Sequence, residues 1–340
     1  MFDDKNIALY GGQPDEAKKK LADAQWQLPT GSLTWLGEGI VAFKALSGNK
    51  TVILSAGFHG DETGPVTLLN SMLNDLVNGE LQPEKNCLFI IGNPLAVAKG
   101  VHSIDQSLKH LFSPKTDPAS HAIALNHESK RAAEIMSAVS AFARRSSGIS
   151  HYDLQSTHYP SKMKTFALCP NSPANLIPEP QLAFLARSGV QAIVIQNEVD
   201  ATFSSWTSRQ FGAESFMLIF DETSPFGQDQ AELTPSIRVE LKRFLEAEGG
   251  LTSLRPSFAG YPQQFTVVHE ITNSGSGFYL TIPENTPNFS QFQPGDKIWH
   301  DDSETYQVSD DTAYIVFPRS RTREGERAGL LVRNHGTVLV

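Results

Sequence analysis

Residues 51–56, TVILSA, and the stretch that follows them, GFHGDETGPV at 57–66, decide the fold class. The first six residues are mostly apolar or β-branched, which predicts a short buried β-strand. Glycines then interrupt the apolar run, and Pro65 is suited to the first turn of a helix. Apolar residues recur beyond it at helical spacing, at Val66, Leu69, Met72, Leu73 and Leu76.

The rest of the chain repeats this alternation of strand and helix. Further strands are predicted at CLFIIGNP (87–94), HYDLQ (151–155), AIVIQ (192–196) and SFMLIF (215–220), and helices near 127–144 and 233–245. Such an order predicts an α/β domain over residues 1–253, with a mainly parallel sheet flanked by helices. Residues 254–340 contain only short strand-like pieces between turn residues, and they predict a small all-β C-terminal domain.

Composition excludes several functions. The formal net charge of −9 argues against nucleic acid or an anionic membrane surface as the main partner. Two cysteines are too few for a disulfide scaffold or a four-cysteine zinc site. The sequence has no signal peptide, no apolar membrane span and no nucleotide-binding fingerprint, so we expect a soluble, cytoplasmic protein with a small-molecule ligand. The sequence does not indicate the oligomeric state.

His59 and Glu62 follow the strand at 51–56 directly. In open α/β sheets, ligand sites gather at the carboxyl ends of the strands. Imidazole and carboxylate groups both bind zinc, and a catalytic zinc usually has three protein ligands and a water molecule. The pair therefore predicts half of a zinc site, and the alternative interpretation is two solvated loop residues.

The segment SAGFHGDETGPV (55–66) resembles the H-G-x-E-T-x-P-V signature of the succinylglutamate desuccinylase/aspartoacylase family. The segments IGNPLAVAKG (91–100), YDLQS (152–156), PFGQ (225–228) and AYIVFP (313–318) extend the resemblance almost from end to end. It implies a zinc carboxypeptidase-like fold and hydrolysis of small N-acyl amino acids. It further implies one zinc ion held by His59, Glu62 and a second histidine, a glutamate that activates water, and an arginine that binds a substrate carboxylate. Asn93 is assigned to the substrate site.

Three functional parts of the family pattern, the second zinc histidine, the general base and the substrate-binding arginine, are changed. Gln155 stands where the second zinc histidine is expected, and Ile219 stands where the catalytic glutamate is expected. In SLKHLF (107–112), Ser107, Lys109 and His110 replace the Asp, Asn and Arg of the substrate-binding segment. An amide oxygen is a poorer zinc ligand than imidazole, and isoleucine accepts no proton. We expect Lys109 and His110 to line the substrate pocket.

Two interpretations remain open. In a rewired zinc amidohydrolase, Gln155 or a nearby histidine, His158 or His110, completes the metal site, and Asp221 or Glu222 is the general base. In a non-catalytic relative, the scaffold binds a ligand or a protein without hydrolysing it. The first is slightly favoured because the half-site and the fold signature persist. The missing arginine predicts that succinylglutamate itself is a poor substrate.

Overall fold

The computed structural model describes residues 25–112, 126–171, 177–198, 200–221, 230–247, 260–309 and 311–336. The strands, in chain order, are β1 (Gln25–Leu28), β2 (Gly31–Gly37), β3 (Ile40–Ala45), β4 (Thr51–Ala56), β5 (Asn86–Ile91), β6 (Ile149–Thr157), β7 (Thr165–Cys169), β8 (Ala192–Ile195), β9 (Glu214–Asp221), β10 (Gln263–Thr272), β11 (Tyr279–Leu280), β12 (Ser290–Phe292), β13 (Lys297–His300), β14 (Thr305–Gln307), β15 (Ala313–Val316) and β16 (Arg327–Asn334). The helices are α1 (Thr63–Val77), α2 (Pro94–Lys99), α3 (His127–Ala143), α4 (Glu179–Arg187), α5 (Phe203–Phe211) and α6 (Gln230–Glu246), and a 3-10 turn spans Leu108–His110.

The chain divides into two compact units. The first unit takes the residues up to 156, with 199–218 and 234–257, and the second takes 157–198, 219–233 and the residues from 258 onwards. The predicted domain boundary, between residues 253 and 254, falls outside the described residues.

The first unit is built on a sheet in the order β1-β2-β3-β5-β4-β6-β9. β4 pairs in parallel with both β5 and β6, as the alternation of strands and helices predicts. β1, β2 and β3 form antiparallel pairs, and β3 also runs antiparallel to β5, so the sheet is mixed rather than mainly parallel at this edge. Every residue of β4 is buried, in agreement with its continuous apolar run.

Helices α3 and α5 cover one face of this sheet. Ile135 and Val139 of α3 pack with Phe203 of α5 in a cluster that includes Ile53 of β4 and Leu88 of β5. Because side chains alternate along a strand, the face that carries Ile53 also carries Ser55. The same face therefore holds an apolar core and, at the carboxyl end of β4, a polar group.

The second unit joins the end of the α/β pattern to the C-terminal strands. β7 and β8 pair in parallel, and β8 pairs in parallel with β10. β10, β16, β15 and β12 continue as antiparallel neighbours, and β11, β13 and β14 form a separate small sheet. Apolar side chains, among them Ile271, Ile298, Ile315 and Leu331, fill the core between these strands. The predicted α/β fold with a C-terminal β region is thus confirmed.

Candidate functional site

His59 and Glu62 meet in the loop between β4 and α1. Nδ1 of His59 lies 2.9 Å from Oε1 of Glu62, and Nε2 of His59 lies 3.1 Å from the hydroxyl of Ser107. Both side chains are buried, and within the described part of the chain no group donates a hydrogen bond to Oε2 of Glu62. Gly60 permits this tight loop because a Cβ there would lie 2.1 Å from the backbone carbonyl carbon of Ala96.

Burial dominates the electrostatics of Glu62. It raises the pKa of this carboxyl to about 8, although the positive charge of Lys109 acts in the opposite direction. A carboxyl removed from water favours its neutral form unless a counter-charge or hydrogen bonds compensate. Lys109 is therefore close enough to contribute to the charge balance of the half-site, and it does not fully offset the burial.

Three polar side chains lie at alternate residues of strand β6 and therefore share one face of the strand. His151, Asp153 and Gln155 are all buried. Ser55 of β4 is the register partner of Asp153, and its hydroxyl donates to Oδ1 of Asp153 at 2.5 Å. The Ser55 oxygen also lies 3.0 Å from Nε2 of His151, whose Nδ1 lies 2.7 Å from the hydroxyl of Thr207. A continuous hydrogen-bonded network thus runs beneath the carboxyl end of β4.

Burial shifts the pKa values of this network in opposite directions. It raises the pKa of Asp153 to about 7, against the hydrogen bond from Ser55 and the charge of Lys109. It lowers the pKa of His151 to about 3. The imidazole is therefore uncharged at neutral pH, and it contributes hydrogen bonds to the network but no charge.

Gln155 connects the network to Lys109. Its amide nitrogen donates to Oδ2 of Asp153 at 2.6 Å, and its amide oxygen accepts from Nζ of Lys109 at 2.9 Å. The Lys109 ammonium only donates, so the atom that contacts it must be the amide oxygen, and the amide nitrogen then faces Asp153. The side chain that replaces the expected zinc histidine is thereby held with its oxygen against an ammonium group.

A buried carboxylate holds the segment that carries Ser107 and Lys109. Glu128, in the first turn of α3, accepts from the backbone amides of residues 104–106 and from the side-chain amide of Asn93. Burial opposes its charge, but these hydrogen bonds outweigh burial and lower its pKa. The segment that follows β5 is therefore fixed by charge-assisted hydrogen bonds.

The other predicted site residues lie in different surroundings. Asn93 is fully buried, its oxygen accepts from the backbone amide of Ala96 at the start of α2, and its nitrogen donates to Glu128. The substrate-binding role assigned to Asn93 remains a prediction. His110 is exposed at the end of the 3-10 turn.

The remaining candidates for a replacement ligand and base are His158, Asp221 and Glu222. His158 is an exposed residue of the second unit. Ile219 is a buried apolar residue of β9, Asp221 is the last residue of that strand, and Glu222 lies outside the described residues. The roles assigned to them remain predictions.

Ser55 and Thr207 are site-supporting residues that the sequence reasoning did not identify. A signal was present for the rest of their network, since polar residues at 151, 153 and 155 of a strand share one face. His102 lies beside the half-site. Its ring stacks on that of His59 with 3.8 Å between centroids, and stacked rings do not direct their nitrogens at a common point.

The donor set does not fit the zinc ion that the resemblance implies. His59 and Glu62 are suitable ligands, but a zinc site needs at least one more protein ligand. The third position holds a neutral amide whose oxygen is bound to the Lys109 ammonium. Over the described ranges, no cluster of three or more His, Cys, Asp or Glu side chains is arranged to hold a metal ion.

The chain matches two family models and is similar to curated relatives. The model of the succinylglutamate desuccinylase/aspartoacylase catalytic domain matches residues 48–245, and that of the AstE/AspA barrel-sandwich hybrid domain matches residues 261–335. A succinylglutamate desuccinylase of Pseudomonas putida is 33% identical over 310 residues, covering 88% of this chain and 89% of the relative.

Structural similarity extends over nearly the same length. The crystal structure of the succinylglutamate desuccinylase from Chromobacterium violaceum is similar with a TM-score of 0.78 and 26% identity, covering 92% of this chain and 93% of that one. Murine aminoacylase 3 shares the fold, with a TM-score of 0.60 at 18% identity over 85% of this chain and 97% of the other. Within the described residues, no helix has the length and apolarity required to cross a bilayer.

Proposed function

This chain belongs to the succinylglutamate desuccinylase/aspartoacylase family, and from that premise we propose that it binds a small N-acyl amino acid without hydrolysing it by the family's zinc chemistry. The contact between Gln155 and Lys109 carries the proposal. Because of this contact, the amide oxygen at the third ligand position is already bound to a cation of the protein itself. The sequence slightly favours the hydrolase, as does the family relationship, whereas this contact favours binding without turnover.

Two further observations support a binding role. Ile219, at the position of the expected general base, is apolar and buried, and it accepts no proton. Loss of a general base alone typically reduces a rate by about 10²- to 10⁴-fold. The Lys109 ammonium is only partly buried, so it supplies a positive charge for a ligand carboxylate, although not the bidentate contact that arginine makes.

The second candidate is the zinc-dependent amidohydrolase. It is favoured by the short contact between His59 and Glu62, both suitable zinc ligands, and by curated relatives that are succinylglutamate desuccinylases. A zinc ion held there would supply activation of a water molecule for attack on an amide carbonyl. No step of such a reaction is assigned to the residues of this chain, because the donor set does not fit the ion.

A panel of N-acyl amino acids separates the two candidates. Binding is measured by calorimetry, and hydrolysis by amine release, with the Pseudomonas putida relative as the positive control. We expect saturable binding of at least one dicarboxylic member and no amine release, for succinylglutamate as for the others. Lys109→Met should weaken that binding, whereas Lys99→Met, at an exposed lysine, should leave it unchanged. Turnover at the rate of the control enzyme would overturn the proposal in favour of the hydrolase.

A further inference from the structure

The site of His59 and Glu62 does not fit a zinc ion for a specific chemical reason. A His/Glu/His zinc site places a divalent cation against a buried carboxylate. Here the half-site carboxylate of Glu62 persists, and a second buried carboxyl group, Asp153, lies on the neighbouring strand. Buried carboxylates require a counter-charge or hydrogen bonds, because transfer out of water disfavours their charge. In their ionised forms, these two groups therefore need a cation at this end of β4.

Lys109 meets that need from within the chain. Its ammonium contacts the amide oxygen of Gln155 at 2.9 Å, at the position of the absent histidine. Its charge acts on Glu62 and on Asp153. The segment that carries it is held by Glu128 through three successive backbone amides. The ammonium is thus positioned by the fold and is not a loosely tethered surface charge.

The two substitutions are chemically complementary. Histidine would offer a nitrogen lone pair to a metal, whereas the amide oxygen of Gln155 accepts a hydrogen bond from an ammonium group. Asp153 fixes the orientation of this amide by accepting from its nitrogen at 2.6 Å. A zinc ion introduced beside Lys109 would meet a like charge at short range, where repulsion is strong in partly buried surroundings.

We infer that the Lys109 ammonium takes the place of the zinc ion, so that the half-site of His59 and Glu62 works as a metal-independent site that excludes divalent metals. The inference goes beyond the proposed function, because it concerns the cation of the site and holds whichever ligand binds there. A ligand carbonyl or carboxylate that would contact a metal ion in a zinc site here contacts an ammonium group, which donates hydrogen bonds and supplies one positive charge.

Zinc titration of four proteins tests the inference. The wild type, Lys109→Met, Gln155→His and the double variant are freed of metal with a chelator and titrated against a zinc indicator. We expect no stoichiometric zinc in the wild type, and binding tighter by at least about 100-fold in the double variant, where the repulsion is removed and a third ligand is supplied. Each single variant should gain less than the double variant, with an excess of at least about 10-fold over the product of the single effects.

Controls keep the outcome independent of folding and of the proposed function. Lys99→Met should bind no more zinc than the wild type, and Lys109→Arg, which keeps the charge, should also stay free of metal. Thermal unfolding of the unaltered chain should not shift on addition of zinc or of chelator. One zinc per wild-type chain, or a Gln155→His variant that binds zinc as tightly as the double variant, would overturn the inference. Failure of the N-acyl amino acid panel would refute the binding proposal and leave these titrations unaffected.

Discussion

Replacement of Glu128 by glutamine tests how the lysine-bearing segment is held. Glu128 has no solvent exposure. Its Oε1 accepts from the backbone amide of Ile104 at 2.7 Å and from the side-chain amide of Asn93 at 3.0 Å. Its Oε2 accepts from the backbone amides of Asp105 and Gln106 at 3.1 and 3.3 Å. Each oxygen therefore serves two donors.

Glutamine retains only one of these two acceptors. Whichever way its amide is turned, two donors lose their partner and face an NH₂ group. A hydrogen bond to a charged group contributes about 1.5–3 kcal/mol, so the loss of two predicts a fall of about 3–6 kcal/mol in the free energy of unfolding. Because the folded-state pKa of Glu128 is lowered, its stabilisation is present above the unfolded-state pKa and disappears as the pH falls through the folded-state value. The difference between wild type and variant should therefore shrink in acid.

Urea unfolding followed by tryptophan fluorescence measures this difference. The matched control is Glu134→Gln on the same helix. The Glu134 carboxylate is exposed, and its one ion pair among the described residues is with the Arg131 guanidinium, at 3.2 Å. The Glu134 end of this pair is exposed and screened by water, and the buried Arg131 keeps its contacts to the carbonyls of Ile91 and Gly92, so the control should cost about 1 kcal/mol or less. A loss in Glu128→Gln no larger than that of the control would refute the reasoning.

Three further predictions concern the first unit. Gly60→Ala should destabilise the protein by about 2 kcal/mol or more in thermal unfolding, because its Cβ would meet the backbone of Ala96 at 2.1 Å; an unchanged melting temperature would contradict this. Asp75→Asn should cost about 1–3 kcal/mol in urea unfolding, since the buried carboxylate accepts from Arg238 at 2.6 Å, and a neutral result would argue against that contact. Relative to His151→Asn, the wild type should lose about 2–3 kcal/mol of stability between pH 6.5 and 4.5. The folded-state pKa of His151 is about 3, so only the unfolded chain gains the proton in this range. Parallel pH profiles of the two proteins would count against this.

Strong local patterns were sufficient to predict much of the α/β fold. The apolar run of β4 and the helical spacing of α1 were both confirmed. The antiparallel strands β1, β2 and β3 were not predicted. β1 has only four residues, and the alternating burial of β2 does not continue beyond Thr34, so neither strand gives a long periodic signal. Their pairing is decided by neighbouring strands rather than by local pattern.

At the candidate site, too, contacts between residues close in sequence could be predicted, and contacts between residues far apart in sequence could not. The approach of His59 to Glu62 could be anticipated, because the two are three residues apart after a strand. The contact of Lys109 with Gln155 joins positions 46 residues apart, and it depends on the order of β5, β4 and β6 and on the segment held by Glu128. Sequence reasoning identified both residues as departures from the family pattern. It did not reveal that one departure compensates the other.

The parallel pairing of β8 with β10 has a consequence for the order in which the chain folds during synthesis. Asn197, just after β8, donates to the carbonyl of Val267, 70 positions further along the chain. On the ribosome, β7 and β8 emerge long before β10, and until it arrives one edge of β8 presents open backbone groups. The nascent second unit is therefore exposed to strand-edge association for the time needed to translate this interval. Arrest of translation before β10 should make the chain depend on chaperones, whereas arrest after β16 should not.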